Sequence, residues 1–184
     1  MDMNFDVNKV FQERLASSLG LDKYQYILDQ IKKINIVSDL EFQTKFNAFY
    51  IVRRNEEWRK VYYEYFEKVK NETPTFADII THLYEHTGNI EPSFSSKMLA
   101  TIFPEKPIWD RYVVQNLGLL LVGATKDDKL QNAIILYDEM EKWYADFLKT
   151  EKGKECIKTF DNVLPSYQWI ADIKKIDSIL WSIR

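Results

Sequence analysis

The sequence predicts an all-α protein. Three observations carry this. Helix caps and helix stops recur from one end of the chain to the other. No segment sustains two-residue alternation of apolar and polar side chains, and the hairpin dipeptides Asn-Gly and Asp-Gly are absent. With 184 residues and 46% hydrophobic content, the chain is long enough to bury a core as one domain over residues 1–184, built from about eight to ten helices.

The elements follow in order. Residues 6–19 carry Val7, Val10, Phe11 and Leu15 at helical spacing and end at Gly20, where a left-handed residue suits a helix terminus. A second helix is expected over 22–36 through Tyr24, Ile27, Leu28, Ile31 and Ile34. Ser38-Asp39-Leu40-Glu41 reads as a capping box with Ser38 as the cap, opening a helix that holds Phe42, Phe46, Phe49 and Tyr50. Residues 55–70 present Trp58, Tyr62, Tyr65, Phe66 and Val69. Thr75 caps a helix that Gly88 ends. Short helices are expected at about 94–103 and 110–122, then a long one from Thr125 to about 149. A further helix begins after Gly153 and stops before Pro165. The last helix carries Trp169, Ile173, Ile176, Leu180 and Ile183, an apolar stripe expected to pack across the N-terminal half.

Composition narrows the function classes. A single cysteine, Cys156, excludes an internal disulfide and any multi-cysteine metal site, and points to a reducing compartment. The first residues have neither the basic nor the apolar region of a signal peptide, and the apolar run 117–124 is too short to span a bilayer. A cytoplasmic protein without membrane contact is expected. A net charge of −3 weighs against a strongly basic nucleic-acid binder but leaves room for local patches at Arg53-Arg54, Arg59-Lys60 and Lys174-Lys175. Arg53-Arg54 can clamp a phosphate as paired guanidiniums.

The most suggestive stretch is residues 75–122. Glu91-Pro92-Ser93-Phe94-Ser95-Ser96-Lys97 places a lysine near a helix start, and Pro107-Ile108-Trp109-Asp110 places a carboxylate at the next. These two segments resemble the hairpin L-P-G-V-G-x-K and the P-x-D element of the helix-hairpin-helix DNA glycosylases. The resemblance implies a glycosylase-like fold and DNA as partner. It implies Lys97 as the nucleophile that attacks the sugar C1′, and Asp110 as the carboxylate that stabilises the developing cation. Ser93, Ser95, Ser96 and Arg111 would then contact DNA, with no cofactor and no metal. Ser and Asp at these positions are equally what ordinary helix caps require.

Two other readings come from different classes. A non-enzymatic helical module would use its aromatic faces to bind a protein partner or a second copy. His82-Leu83-Tyr84-Glu85-His86 spells H-x-x-E-H, a zinc-hydrolase pattern with Glu85 as base, for which the sequence offers no identifiable third ligand.

Overall fold

The computed structural model describes residues 5–10 and 20–183. These residues form ten α-helices and one short 3₁₀ turn, with no β-strand among them. The chain divides into two compact units. One spans Gly20–Phe103, and the other joins the described N-terminal residues to the chain from Pro104 onward.

The first unit holds α2 (Leu21–Gln30), α3 (Leu40–Tyr50), α4 (Glu56–Val69), α5 (Phe76–Thr87) and α6 (Pro92–Ile102). Its core is largely aromatic. Phe42, Phe46, Tyr62 and Phe66 are fully buried. The Phe46 ring lies 4.7 Å from Tyr50 and 5.6 Å from Phe66 between centroids, distances at which tilted ring pairs attract. The ring-rich faces of α3 and α4 are therefore spent inside the unit.

Helix α2 stops well before residue 36. Asn35 Oδ1 accepts from the backbone of Val37 (3.0 Å) and Ser38 (3.2 Å), a local turn that competes with helix. Glu67 and Lys70 of α4 then hold this segment: Glu67 Oε2 accepts from Ile36 N at 2.8 Å, and Lys70 Nζ donates to the Ile34 carbonyl. The cap of α3 is Asp39, not Ser38. Asp39 Oδ1 accepts from Phe42 N at 2.8 Å, while the Ser38 hydroxyl turns back to the Asn35 carbonyl and Glu41 pairs with Lys45. Asn55 caps α4. Thr75 and Asp78 form the complete capping box that opens α5, and Gly88, with φ +68°, closes it.

The second unit holds α1 (Val7–Val10), α7 (Arg111–Asn116), α8 (Lys126–Phe147), α9 (Glu151–Val163), the 3₁₀ turn Pro165–Tyr167 and α10 (Asp172–Ser182). Of the helix expected over 6–19, only this first turn is described; Phe11 and Leu15 lie outside the described residues. Helix α7 is shorter than expected. It ends at Asn116, with Leu117 as its cap ahead of Gly118, and the Asn116 amide donates to the carbonyls of Leu180 (2.9 Å) and Ile183 (3.1 Å). Helix α8 starts after Thr125 as expected, and Thr125 and Asp128 form a capping box there. Helix α9 begins at a Thr150 cap rather than after Gly153, and Gly153 is inside it. A Cβ at Gly153 would stand 2.2 Å from the Phe147 carbonyl oxygen, so this glycine answers a close approach, not a break. Helix α10 starts after Trp169, which is exposed, and packs on α7, α9 and α1. No helix among the described residues is long and apolar enough to cross a membrane.

Candidate nucleic-acid interface

Pro92 occupies the first turn of α6, where its fixed φ and missing N–H are both suited to a helix start. The stretch read as a hairpin loop therefore lies on the helix, and the turn joining α5 to α6 is residues 88–91. This rotation decides where the serines point. Ser95 and Ser96 are fully buried, and their hydroxyls donate to the carbonyls of Glu91 (2.8 Å) and Ser93 (3.0 Å). Ser93 is half-buried. Lys97 is also buried, at 9% exposure, with Nζ donating to the Tyr50 carbonyl at 3.0 Å and lying 5.0 Å from the centre of the Phe94 ring. An ammonium held this way ties α6 to the end of α3.

Asp110 sits at the start of α7, where Oδ1 accepts from Tyr112 N at 2.9 Å; this is the capping geometry. Arg111 is exposed, with its guanidinium 5.8 Å from the centre of the Tyr112 ring. Lys97 belongs to the first unit, and Asp110 and Arg111 to the second.

Asp177 of α10 and two tyrosines of α8 surround the Pro107–Asp110 loop. Asp177 of α10 is 3% exposed, and Oδ2 accepts from Ile108 N at 3.0 Å. Its other oxygen accepts from the Tyr144 hydroxyl, and Tyr137 donates to the Pro107 carbonyl at 2.8 Å. Burial pushes the Asp177 carboxyl up to about 6, against the pull of Lys174, the Tyr144 hydroxyl and the Ile108 N–H. Burial lowers the Lys174 ammonium, against Asp177 and Asp110. The sequence offers Lys174-Lys175 as a local basic patch. Instead Lys175 is 3% exposed, paired with Asp161 at 2.8 Å and Asp172 at 3.3 Å. The only sequence signal was Asp177 itself, a charge inside the apolar stripe of Ile176 and Leu180.

The two histidines stack. The His82 ring lies between Tyr65 (3.6 Å between centroids, 9° between planes) and His86 (3.9 Å, 23°). Near-parallel rings keep their in-plane lone pairs side by side instead of converging on one ion. Among the described residues no group of three or more His, Cys, Asp or Glu side chains is placed to hold a metal. Cys156 is buried, and burial pushes its thiol up to about 11, which keeps it protonated and unreactive near neutrality.

The first unit carries an open, polar groove of about 430 Å³. The loop before α4 supplies Arg53, Arg54 and Asn55 to it, α4 supplies Glu57, Trp58 and Val61, and the hairpin end of α5 supplies His86, Thr87 and Asn89. Arg54 is anchored. Its Nη2 lies 2.6 Å and 2.7 Å from the two carboxylate oxygens of buried Glu91, and its guanidinium stands over the rings of Trp58 (5.6 Å) and Phe94 (5.3 Å). Burial raises the Glu91 carboxyl, while Arg54, the Trp58 indole and Lys97 pull it down. Arg53 is exposed and forms no ion pair with any described residue. The sequence marks the arginine pair but not its meeting with residues 86–89, which tertiary packing alone creates. Comparison of the chain with protein families, with curated proteins and with solved structures finds no match.

Proposed function

We propose that this protein binds double-helical DNA through the groove beside the α5–α6 hairpin. The observation that carries the reading is the meeting of Arg53 and Arg54 with the hairpin residues Thr87 and Asn89 in one open groove. A guanidinium with no ion pair among the described residues, as at Arg53, is suited to a phosphate oxygen, and an anchored one such as Arg54 loses little freedom on binding. The hairpin side chains add hydrogen-bonding groups beside them, which is how backbone contacts set position on a duplex. One carboxylate, Glu57, shares the groove and opposes an anion, while the arginine–phosphate contacts make the binding salt-sensitive. The partner-binding alternative rests on aromatic faces that are buried in the unit's own core.

The glycosylase extension of this reading assigns Lys97, in the first unit, as nucleophile. It requires Lys97 Nζ to leave the Tyr50 carbonyl, so that base release and Schiff-base formation would follow a movement of α6.

The experiment is a fluorescence-anisotropy titration of intact and abasic-site duplexes at low salt, with borohydride added in parallel. Binding that weakens in Arg53→Ala and not in Ser96→Ala supports the groove. Binding equal to that of an acidic control protein removes the DNA reading. A borohydride-trapped adduct lost in Lys97→Ala, with folding retained, supports the lyase extension; no adduct on any lesion leaves DNA binding alone.

A further inference from the structure

We propose that the protein pairs with a second copy of itself through the exposed face of α8 centred on Ile135, the two helices lying antiparallel about a two-fold axis. The surface belongs to the second unit, and the proposal does not depend on the DNA-binding reading.

Large apolar side chains stand in solvent on and beside α8. Ile135 is 55% exposed, Leu120 73% and Val122 53%. The segment that carries Leu120 and Val122 is tied to the helix. A Cβ at Gly123 would stand 2.6 Å from Lys129 N, and Val122 N donates to Asn132 Oδ1 at 3.0 Å. Residues 123 and 122 thus meet successive turns of α8, and the chain before them runs back along the helix towards the level of Ile135. Asn132 and Ile135, three residues apart, are neighbours on the helix surface. Exposure alternates along the segment, with Leu119 and Leu121 half-buried and Leu120 and Val122 outward. Apolar side chains fixed in water in this way mark a surface that a partner covers.

Charges on the same face identify the partner. An α-helix turns once in about 3.6 residues, so positions about seven before and seven after Ile135 return to its face, each about 10 Å along the axis. Those positions hold Asp128 and Lys142, both exposed, and Lys142 forms no ion pair with any described residue. In an antiparallel pair centred on Ile135, Asp128 of one copy meets Lys142 of the other, and the two-fold axis repeats the contact. Gln131 and Glu139, one turn either side of Ile135, meet in the same way. A parallel pair would set Asp128 on Asp128 and Lys142 on Lys142, and repel. The face is therefore complementary to itself in one direction only. Exposed ion pairs are weak, so they set the direction, while burial of Ile135, Leu120 and Val122 supplies the affinity. Three apolar side chains are few beside the interface of a stable dimer, so the pair is weak and depends on concentration.

Sedimentation velocity at protein concentrations up to about 1 mM, where even weak pairs form, measures the association. The wild type should pass from monomer towards dimer as concentration rises. Ile135→Lys, at an exposed site that folding does not need, sets two like charges at the axis and should stay monomeric. Asp128→Lys and Lys142→Glu each turn both ion pairs into repulsions, and each should weaken association about tenfold. An equimolar mixture of these two variants places opposite charges at both contacts and should recover wild-type association. In Asp128→Lys the Thr125 hydroxyl still accepts from the backbone N–H at position 128, and circular dichroism checks that every variant keeps its helices. A wild type that stays monomeric throughout overturns the proposal. So does a dimer that survives Ile135→Lys, or a mixture that associates no better than its components.

Discussion

Asp177→Asn gives the sharpest test of the packing around the Pro107–Asp110 loop. The Asp177 carboxyl is 3% exposed and pushed up to about 6, mainly by burial. Its unfolded value is the ordinary one near 4, so the folded state prefers the protonated form. The stability this group contributes is therefore full below about pH 4, is lost as pH rises towards 6, and stays lost above that. A displacement of about two pH units corresponds to about 3 kcal/mol. Asparagine keeps an oxygen for the Ile108 N–H and cannot ionise, so the variant escapes the loss. Urea unfolding followed by circular dichroism at pH 4.0 and 7.5 measures it. The stability of Asp177→Asn relative to the wild type should rise by about 2 kcal/mol between the two pH values, since the unfolded carboxyl is already partly ionised at pH 4.0. Capping carboxylates such as Asp78 and Asp128, which hydrogen bonds hold below their ordinary range, titrate alike in both proteins and cancel. A relative stability that stays constant across the range would refute the buried, ionised Asp177.

Three further outcomes follow from local geometry. Asp39→Ala should cost about 1 kcal/mol in thermal unfolding, and Ser38→Ala less than about 0.5 kcal/mol, because Asp39 alone caps α3. Ile51 ends α3 at φ +56°, a left-handed conformation that strains a β-branched residue, and its side chain is 53% exposed. Ile51→Asn should accordingly stabilise by about 1 kcal/mol, read as a raised melting temperature. Gly153→Ala should destabilise by about 1–3 kcal/mol in the same assay, since its Cβ would collide with backbone and not with a side chain that could move.

Local chemistry explains what the sequence could disclose. Thr75 with Asp78, and Thr125 with Asp128, pair a cap with an acid three residues on, and both helices start where that pairing places them. The misplaced cap of α3 has a local cause: Ser38 and Asp39 are adjacent and equally good caps, and the Asn35 turn chooses between them. The early end of α2 has a distant one, because Glu67 and Lys70 belong to another helix. Gly153 reads as a breaker, yet its reason is the passing Phe147 carbonyl. At the groove, Arg53-Arg54 was visible as a charge pair, whereas its position against residues 86–89 depends on how α4 and α5 pack. The burial of Ser95, Ser96 and Lys97 likewise depends on the helix beginning at Pro92, which turns that face of α6 inward.

The salt dependence of duplex binding tests the groove most directly. Each phosphate neutralised by a side chain contributes about one unit to the slope of log affinity against log salt concentration. Arg53→Ala should therefore weaken binding and lower that slope by about one unit, while Lys60→Ala, on α4 outside the groove lining, should leave it unchanged. An Arg53→Ala protein that binds with the wild-type slope, or a wild type with no measurable affinity for any duplex at low salt, would contradict the groove as the DNA-binding surface.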